Sequence, residues 1–337
     1  MPKINFVGDI ALNNRYELME NNPFYKIEKY LVDCDLTVGN LECIAEGIYF
    51  NHKKFPRLKT SSSTLNRMLP YTHVKLVTLA NNHCYDNMDE GFSNTILELN
   101  KLGISFIGAS LDADLFNKPY VFEKDGVKLC FLNYVTICTH PNPPDNSKIK
   151  INQYDRIKII EDIKKYRSNV DHIVLLLHWG GDNEGYMYPN LVQRRDARTF
   201  IDAGVSIIIG GHSHTLQPYE IYNGKYIFYS LGNFCFDDTI CEAITTIRKS
   251  KEKKSIILNV DFSRDSYQIR IIPVWNYRLN PIYSNKVGIR LKFSNLVFRL
   301  ISINRLTYNI YYLNSRYVAK VIRYLLHPSI VLKKMKN

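Results

Sequence analysis

The feature that most constrains the fold is a series of short apolar segments that alternate with helix-like segments. The apolar segments are rich in aliphatic and β-branched side chains, which is typical of strands buried on both faces. Those that matter most for the site are residues 4–7, 36–38, 74–79, 173–177 and 205–209. Further strands are predicted at 127–135 and 226–231, and a closing antiparallel pair at 255–262 and 268–274. The predicted helices cover about 24–31, 61–69, 89–102, 153–167 and 189–203. This alternation predicts an α/β fold with a mixed sheet.

Residues 205–209 lead into Gly210 and Gly211 and then into His212 and His214. The glycines permit a sharp turn. If the chain is extended there, residues two apart project to the same side, and both imidazoles converge on one point. Two neutral imidazoles are good metal ligands, whereas single loop histidines are commonly satisfied by local hydrogen bonds. The pair alone leaves both interpretations open.

Ligand-type residues follow all five of these segments. They are Asp9, Glu42, Asn82 with His83, His178, and His212 with His214. The carboxyl ends of strands in an open α/β sheet border one crevice, so these side chains are expected in a shared polar pocket. Burying so many charges and donors without a cation is costly. The pattern therefore favours a metal site over a purely structural polar network, and nitrogen and oxygen ligands suit Zn, Mn, Fe or Ni.

Six motifs carry a family resemblance. They are GDIA at 8–11, GNLE at 39–42, ANNHCYD at 80–86, HWG at 178–180, GGHSHTLQP at 210–218 and YSLGNF at 229–234. Over about residues 3–275 the chain resembles the CapA-type capsule and poly-γ-glutamate biosynthesis proteins, which belong to the calcineurin-like metallophosphoesterase superfamily. This resemblance implies a four-layer αββα sandwich with a metal centre at one edge.

The same resemblance implies residue roles. The metal ligands would be Asp9, Glu42, Asn82, His178, His212 and His214. Glu42 would bridge two ions, and His83 would act as general acid or stabilise the substrate. The wider superfamily has Asp-x-His at its first motif, whereas Asp9 is followed by Ile10 and Ala11. By this comparison one metal position lacks a ligand. The protein is therefore expected to bind either one divalent ion (Mn, Zn or Fe) or two, of which the second binds more weakly.

Three further residues are expected at the site. Asp86 comes three residues after His83 and would orient that imidazole, unless it is a turn or helix-cap carboxylate. Asn81 and Asn233 are candidates for substrate binding, although an Asn at the end of a strand also suits a turn. Four basic residues are candidates for binding an anionic substrate, although the default interpretation is a solvated basic face. They are Arg15, Lys53, Lys54 and Arg57.

The charge of the chain is unevenly distributed. Of its 44 Lys and Arg, 13 follow Asp265, and no carboxylate does. We therefore expect a domain at 1–280 and a basic, amphipathic helical tail at 281–337, with helices within 288–303 and 317–336. Such helices bind anionic membrane surfaces; the alternative is a helix pair packed on the domain. Nucleic acid is disfavoured as a partner because no RNA- or DNA-binding motif accompanies the charge.

Location is predicted from what the sequence lacks. The seven cysteines have no CxxC spacing, which favours reduced thiols. No uncharged apolar run reaches the roughly 18 residues of a membrane-spanning helix. Residues 3–7 are predicted to be a strand rather than part of a secretory signal. We expect a cytoplasmic protein, with peripheral contact at the inner membrane face.

The first hypothesis is a metal-dependent hydrolase or transferase in bacterial capsule, exopolysaccharide or poly-γ-glutamate biosynthesis. It would act on an ester, phosphoester or amide of an anionic polymer or phosphoester substrate, and the pathway comes from the resemblance alone. One alternative is a non-catalytic metal-binding scaffold for a polymer-synthesis complex at the membrane. The other is a general metallophosphodiesterase.

Overall fold

The computed structural model describes residues 1–47, 57–140, 142–181, 184–241, 244–304 and 306–312. Lys53, Lys54 and the predicted helix at 317–336 lie outside these ranges. The strands are β1 (Lys3–Ala11), β2 (Leu36–Leu41), β3 (Ile44–Ala45), β4 (Lys59–Thr60), β5 (Leu76–Thr78), β6 (Ser105–Ile107), β7 (Ala109–Ser110), β8 (Tyr120–Lys124), β9 (Val127–Val135), β10 (Lys150–Ile151), β11 (His172–His178), β12 (Ile207–Gly211), β13 (Tyr219–Tyr222), β14 (Lys225–Phe228), β15 (Asn233–Phe236), β16 (Thr239–Cys241), β17 (Ile244–Thr246), β18 (Lys254–Phe262), β19 (Tyr267–Tyr277) and β20 (Asn280–Tyr283). The α-helices are α1 (Glu28–Leu31), α2 (Ser62–Met68), α3 (Met88–Lys101), α4 (Arg156–Arg167), α5 (Leu191–Ala203) and α6 (Asn285–Ile301). Short 3₁₀ helices cover Asn14–Leu18, Leu69–Thr72, Ile137–Thr139 and Ser250–Lys253.

Two mixed sheets form the centre of the molecule. The eight-stranded sheet has the order β20-β19-β18-β1-β2-β5-β6, and β15 also pairs with β1. The six-stranded sheet has the order β13-β14-β12-β11-β9-β8. Within them β15, β1, β2, β5 and β6 are parallel, as are β9, β11, β12 and β14. The carboxyl ends of these strands therefore lie along one edge of each sheet.

Three apolar cores separate four layers. Between the sheets, Phe6 and Val38 of the larger sheet share one core with Phe131 and Leu176 of the smaller. A second core joins the larger sheet to α2 and α3, and a third joins the smaller sheet to α4 and α5. The predicted four-layer αββα sandwich is confirmed.

Several boundaries differ from the prediction. β1 continues past Asp9 to Ala11, with an irregular register between Asp9 and Ile10 where β15 pairs with it. The segment predicted as a helix over 24–31 is α-helical only at Glu28–Leu31. β12 includes Gly210 and Gly211, because they pair with the end of β11. The sequence does not predict β8, β13 and β20, since these edge strands are partly exposed and lack a continuous apolar run.

The chain crosses position 280 inside the larger sheet and continues into α6. Val287 and Leu291 of α6 enter the core between the sheets, and Phe298 enters the third core. α6 thus covers most of the first predicted tail helix, while the division into domain and tail stays a prediction. No helix in the described ranges is both long and apolar enough to cross a bilayer.

We expect Phe131→Ala to lower the free energy of unfolding by about 3–5 kcal/mol, because it leaves a cavity between the sheets. Phe131 is fully buried, and its ring lies 6.4 Å from that of Phe6 across the sheet interface. Val121→Ala on the neighbouring exposed strand is the control and is expected to cost less than about 1 kcal/mol. Urea denaturation measures both, and equal losses would contradict the packing described.

Candidate metal centre

The predicted site residues meet where the carboxyl edges of the two sheets come together. Asp9 lies within β1, Glu42 directly follows β2, and His178 ends β11. The other residues lie in the loops after β5 and β12 and at the start of β15. All are buried: Asp9, Glu42, Asn81, Asn82, His83, Asp86, His178, His212, His214 and Asn233.

Two fully buried carboxylates form the base of the site. Asn40 lies across from Asp9 in the β1–β2 pairing, and its Nδ2 donates to Asp9 Oδ1 at 2.8 Å. The same nitrogen lies 3.5 Å from Glu42 Oε2. Burial raises the pKa of Asp9 to about 6, although the Asn40 hydrogen bond and the nearby His212 and Arg248 lower it. The ionised form of Asp9 therefore needs positive charge close by.

One group of potential ligands consists of Glu42, His178 and His212, whose ligand atoms lie within 4.8 Å of one another. His178 Nε2 lies 3.9 Å from Glu42 Oε1 and 3.0 Å from His212 Nδ1. His212 Nε2 lies 2.7 Å from the carbonyl oxygen of Gly181. Donation from Nε2–H to that carbonyl leaves Nδ1 as the lone pair that faces the group.

A second group consists of Asp9, Glu42 and His214, again within 4.8 Å. His214 Nδ1 lies 3.8 Å from Asp9 Oδ2, and its Nε2 lies 3.8 Å from Glu42 Oε1. Burial holds the pKa of His214 well below its usual value, and the charge of Arg248 lowers it further. His214 is thus neutral, as a metal ligand must be. Glu42 is common to both groups.

The His-x-His pair reaches the site in a different way from the prediction. His212 and His214 have positive φ angles of 86° and 56°, so the backbone there is not extended. Their ring centroids lie 6.4 Å apart. The two imidazoles therefore face different ligand groups rather than one point.

The asparagines contact the ligand groups in different ways. Asn82 Oδ1 lies 2.8 Å from His178 Nε2, and Asn233 Oδ1 lies 3.0 Å from His214 Nδ1. Asn81 instead donates to Asn40 Oδ1 and to the carbonyl of Leu41, and accepts from the backbone N–H of His83. Asn81 thus holds the loops together, and substrate contact by Asn81 or Asn233 stays a prediction.

His83 and Asp86 are in direct contact at the rim of the groups. Asp86 Oδ2 lies 2.6 Å from His83 Nδ1 and also accepts the backbone N–H of Leu58. Helix α3 is preceded by Asn87 rather than Asp86. His83 Nε2 lies 4.0 Å from Glu42 Oε1 and so faces the ligand groups. The geometry matches the predicted orienting contact.

The residues present fit divalent ions. Two atoms that each lie about 2.1 Å from a shared ion are about 3–4 Å apart. Glu42 Oε1 lies 3.9 Å from His178 Nε2 and 3.8 Å from His214 Nε2, distances that are too long for hydrogen bonds but allow each pair to share an ion. A Cβ on Gly211 would lie 2.7 Å from Asp9 Oδ1, so a side chain there would crowd the carboxylate.

Sequence reasoning assigns no role to Asn40, although it lies in the quoted GNLE motif. Asn40 is the donor between the two carboxylates, and its Oδ1 accepts from Thr78 and Asn81. Its position directly across from Asp9 indicates this role, but that position is known only once the register of β1 against β2 is known.

The sandwich has a solved counterpart. A putative 5'-nucleotidase from Staphylococcus aureus matches it with a TM-score of 0.50 at 12% identity, over 87% of this chain and 58% of that chain. This likeness concerns the fold alone. The protein is thus of the metallophosphoesterase-type fold, with groups of potential metal ligands at the edge of its sheets.

The particular family follows from the sequence. The model of the family described as bacterial capsule synthesis protein PGA_cap matches residues 3–238, and the chain belongs to that family. The PGA biosynthesis protein CapA of Bacillus subtilis is 30% identical over 240 residues, which are 69% of this chain and 62% of that protein. The capsule biosynthesis protein CapA of Bacillus anthracis is 29% identical over 250 residues, 68% of this chain and 59% of that protein. The chain therefore spans only about three fifths of these relatives' length.

We expect Asn40→Ala to weaken divalent metal binding by about 10–100-fold, because the two carboxylates lose the donor that orients them. Calorimetric titration of metal-free protein with Mn²⁺ and Zn²⁺ measures this. Asn259→Ala is the matched control, since Asn259 is a buried asparagine that donates to Asn5 away from the site. An unchanged Kd in folded Asn40→Ala protein would contradict the organising role.

Proposed function

We propose that this protein is a metal-dependent hydrolase, or a transferase of the same chemistry, that acts on an ester, phosphoester or amide bond in the making of a bacterial capsule or poly-γ-glutamate. The observation that carries this proposal is the pair of ligand groups that share Glu42, with His83 beside them. A purely structural polar network does not require three imidazole nitrogens around one buried carboxylate oxygen.

One or two divalent ions (Mn, Zn or Fe) would be held by Asp9, Glu42, Asn82, His178, His212 and His214. Bound ions supply Lewis-acid polarisation and acidify water. The geometry provides donors for two positions even though Ala11 stands where the Asp-x-His motif has its histidine, because Glu42 serves both groups. This supports the binuclear alternative.

His83 would move the proton. With Nδ1–H held by Asp86, its Nε2 is the atom that faces the ligand groups. A protonated Nε2 can donate to the oxygen or nitrogen that leaves, which is general-acid catalysis. Asp86 stabilises that imidazolium and fixes the ring orientation.

We expect His83→Asn to lower kcat by about 10²–10⁴-fold at unchanged metal content, because only the proton donor is lost. Asp86→Asn is expected to cause a smaller loss and to shift the pH–rate profile, because the imidazole loses its charged partner. His73→Asn is the control: His73 lies outside the site at a left-handed position that suits Asn.

Turnover of γ-linked oligoglutamate and of aryl phosphodiesters, together with restoration of surface polymer in cells lacking this chain, measures the effect. Full polymer restoration by His83→Asn would favour the scaffold alternative. Rapid cleavage of generic aryl phosphodiesters alone would favour a general phosphodiesterase.

Helix α6 supports an additional proposal, that the enzyme works at an anionic membrane surface. Val287, Leu291 and Phe298 are buried against the domain. Four large apolar residues are 55–68% exposed, namely Ile289, Phe293, Leu296 and Leu300. At 3.6 residues per turn these four fall within about 60° of arc on the opposite face. Basic residues flank them on both sides, namely Lys286, Arg290, Lys292 and Arg299.

This pattern matches a helix that lies in the plane of a membrane interface. Residues 313–337 of the same chain are less suitable to cover this exposed face of α6. They carry six Lys and Arg and no carboxylate, so the basic residues beside the apolar stripe would repel them. An anionic lipid surface satisfies both the apolar stripe and the charge.

We expect the pair Phe293→Ser and Leu296→Ser to reduce binding to phosphatidylglycerol-rich vesicles by about tenfold or more, because two large apolar side chains no longer insert. Flotation assays with these vesicles and with neutral phosphatidylcholine vesicles measure it. Val121→Ser, another exposed apolar position, is the control. Unchanged flotation would contradict membrane binding by this face. The same holds if the wild type is a dimer and the paired substitution makes it monomeric, because the face would then be a dimer interface.

A further inference from the structure

A second feature lies directly beside the ligand groups. It is a cavity of about 310 Å³ whose lining includes Phe236, Arg248, Lys253, Trp275 and Arg278. These residues come from β15, the segments next to β17 and β18, and the end of β19 with its turn into β20. The family motifs quoted above do not include its cationic residues.

The cavity carries excess positive charge. Arg15 also lines it, but its guanidinium is paired with Asp237 and Asp238. Arg248 donates instead to the hydroxyl of Thr239 at 2.8 Å and, at 3.4 Å, to the carbonyl of Asp237.

No carboxylate in the described part of the chain forms an ion pair with Arg248, Lys253 or Arg278. The cavity is lined by four cations and by the carboxylates of Asp237 and Asp238, which leaves two positive charges in excess. Like charges held near one another repel, and an anion bound among them relieves that repulsion.

The cavity adjoins the ligand groups through one aromatic wall. The Phe236 ring centroid lies 4.8 Å from that of His214, and the Arg248 guanidinium carbon lies 4.3 Å from the Phe236 ring centroid. A molecule in the cavity would extend toward the ligand groups.

We propose that this cavity is an anion subsite, in which Arg248, Lys253 and Arg278 hold a carboxylate or phosphate of a substrate whose reacting bond lies at the ligand groups. This inference rests on the proposed hydrolase function and names residues for it. Arg248 is the anchor nearest the ligand groups, because its guanidinium is fixed by Thr239 and Phe236. Lys253 and Arg278 provide the outer charge.

Calorimetric titration of the full chain tests this with three probes, in metal-loaded and in chelator-treated protein. γ-Linked oligoglutamate supplies carboxylates, inorganic phosphate supplies phosphate, and oligoglutamine of equal length is the neutral control. We expect an anionic probe to bind without metal, and more weakly at high salt. Lys253→Gln and Arg278→Gln should each weaken it about tenfold, since each removes a charged hydrogen-bond donor. Lys118→Gln, an exposed lysine outside the cavity, should have no effect.

Binding of oligoglutamate alone or of phosphate alone identifies the anion, and either supports the subsite. No anion binding by the wild type, or equal losses in Lys118→Gln, overturns it. Kinetics separate the two proposals. If the protein turns over substrate and Lys253→Gln and Arg278→Gln leave KM unchanged, the subsite proposal is wrong and the hydrolase proposal stands. If anion binding depends on the cavity but no substrate is turned over, the hydrolase proposal is wrong and the subsite proposal stands. Thermal melting of each variant confirms that it is folded.

Discussion

Burial of two carboxylates next to one another is the constraint on which the site depends. Asp9 and Glu42 are completely inaccessible to solvent. The rise in the pKa of Asp9 from 3.8 to about 6 means that its ionised form costs the folded state about 3 kcal/mol, a cost that grows as the pH rises through this range. This cost remains although the Asn40 amide already lowers the pKa. A cation bound there would remove it, and ligand atoms of His178, His212 and His214 lie within reach of one.

The backbone is strained at the same place. His212 and His214 have positive φ angles, which are uncommon for any residue other than glycine. Each such residue costs of order 1–3 kcal/mol unless its surroundings enforce it. Here the backbone N–H of His212 donates to Asp9 Oδ2 at 3.3 Å, and the imidazole donates to the carbonyl of Gly181. This conformation turns the two rings toward different ligand groups, which have only Glu42 in common.

The sequence predicts the layers and the participants of the site, but not how they meet. Polar residues after buried strands were sufficient to place Asp9, Glu42, His178 and the histidine pair at one edge, because parallel strands share that edge. The extended conformation expected for His212 and His214 was wrong, because positive φ at non-glycine residues is imposed by tertiary contacts. Asn40 was overlooked for a related reason: its role depends on the register of β1 against β2, which local pattern does not contain. Most residues that line the cavity beside His214 lie between 236 and 279, outside the quoted motifs, and of the candidate anion-binding residues only Arg15 is among them.

Charge connects these features. One divalent ion balances the charge of Asp9 and Glu42, since the pKa of His214 is held low and its imidazole is neutral. A second ion would leave two excess positive charges next to a cavity that already faces Arg248, Lys253 and Arg278. In a buried site such an excess is stable only with an anion nearby. Under the proposed function, occupancy of a second position and binding of an anionic substrate are therefore expected to favour each other. Reciprocal linkage requires the same coupling in both directions.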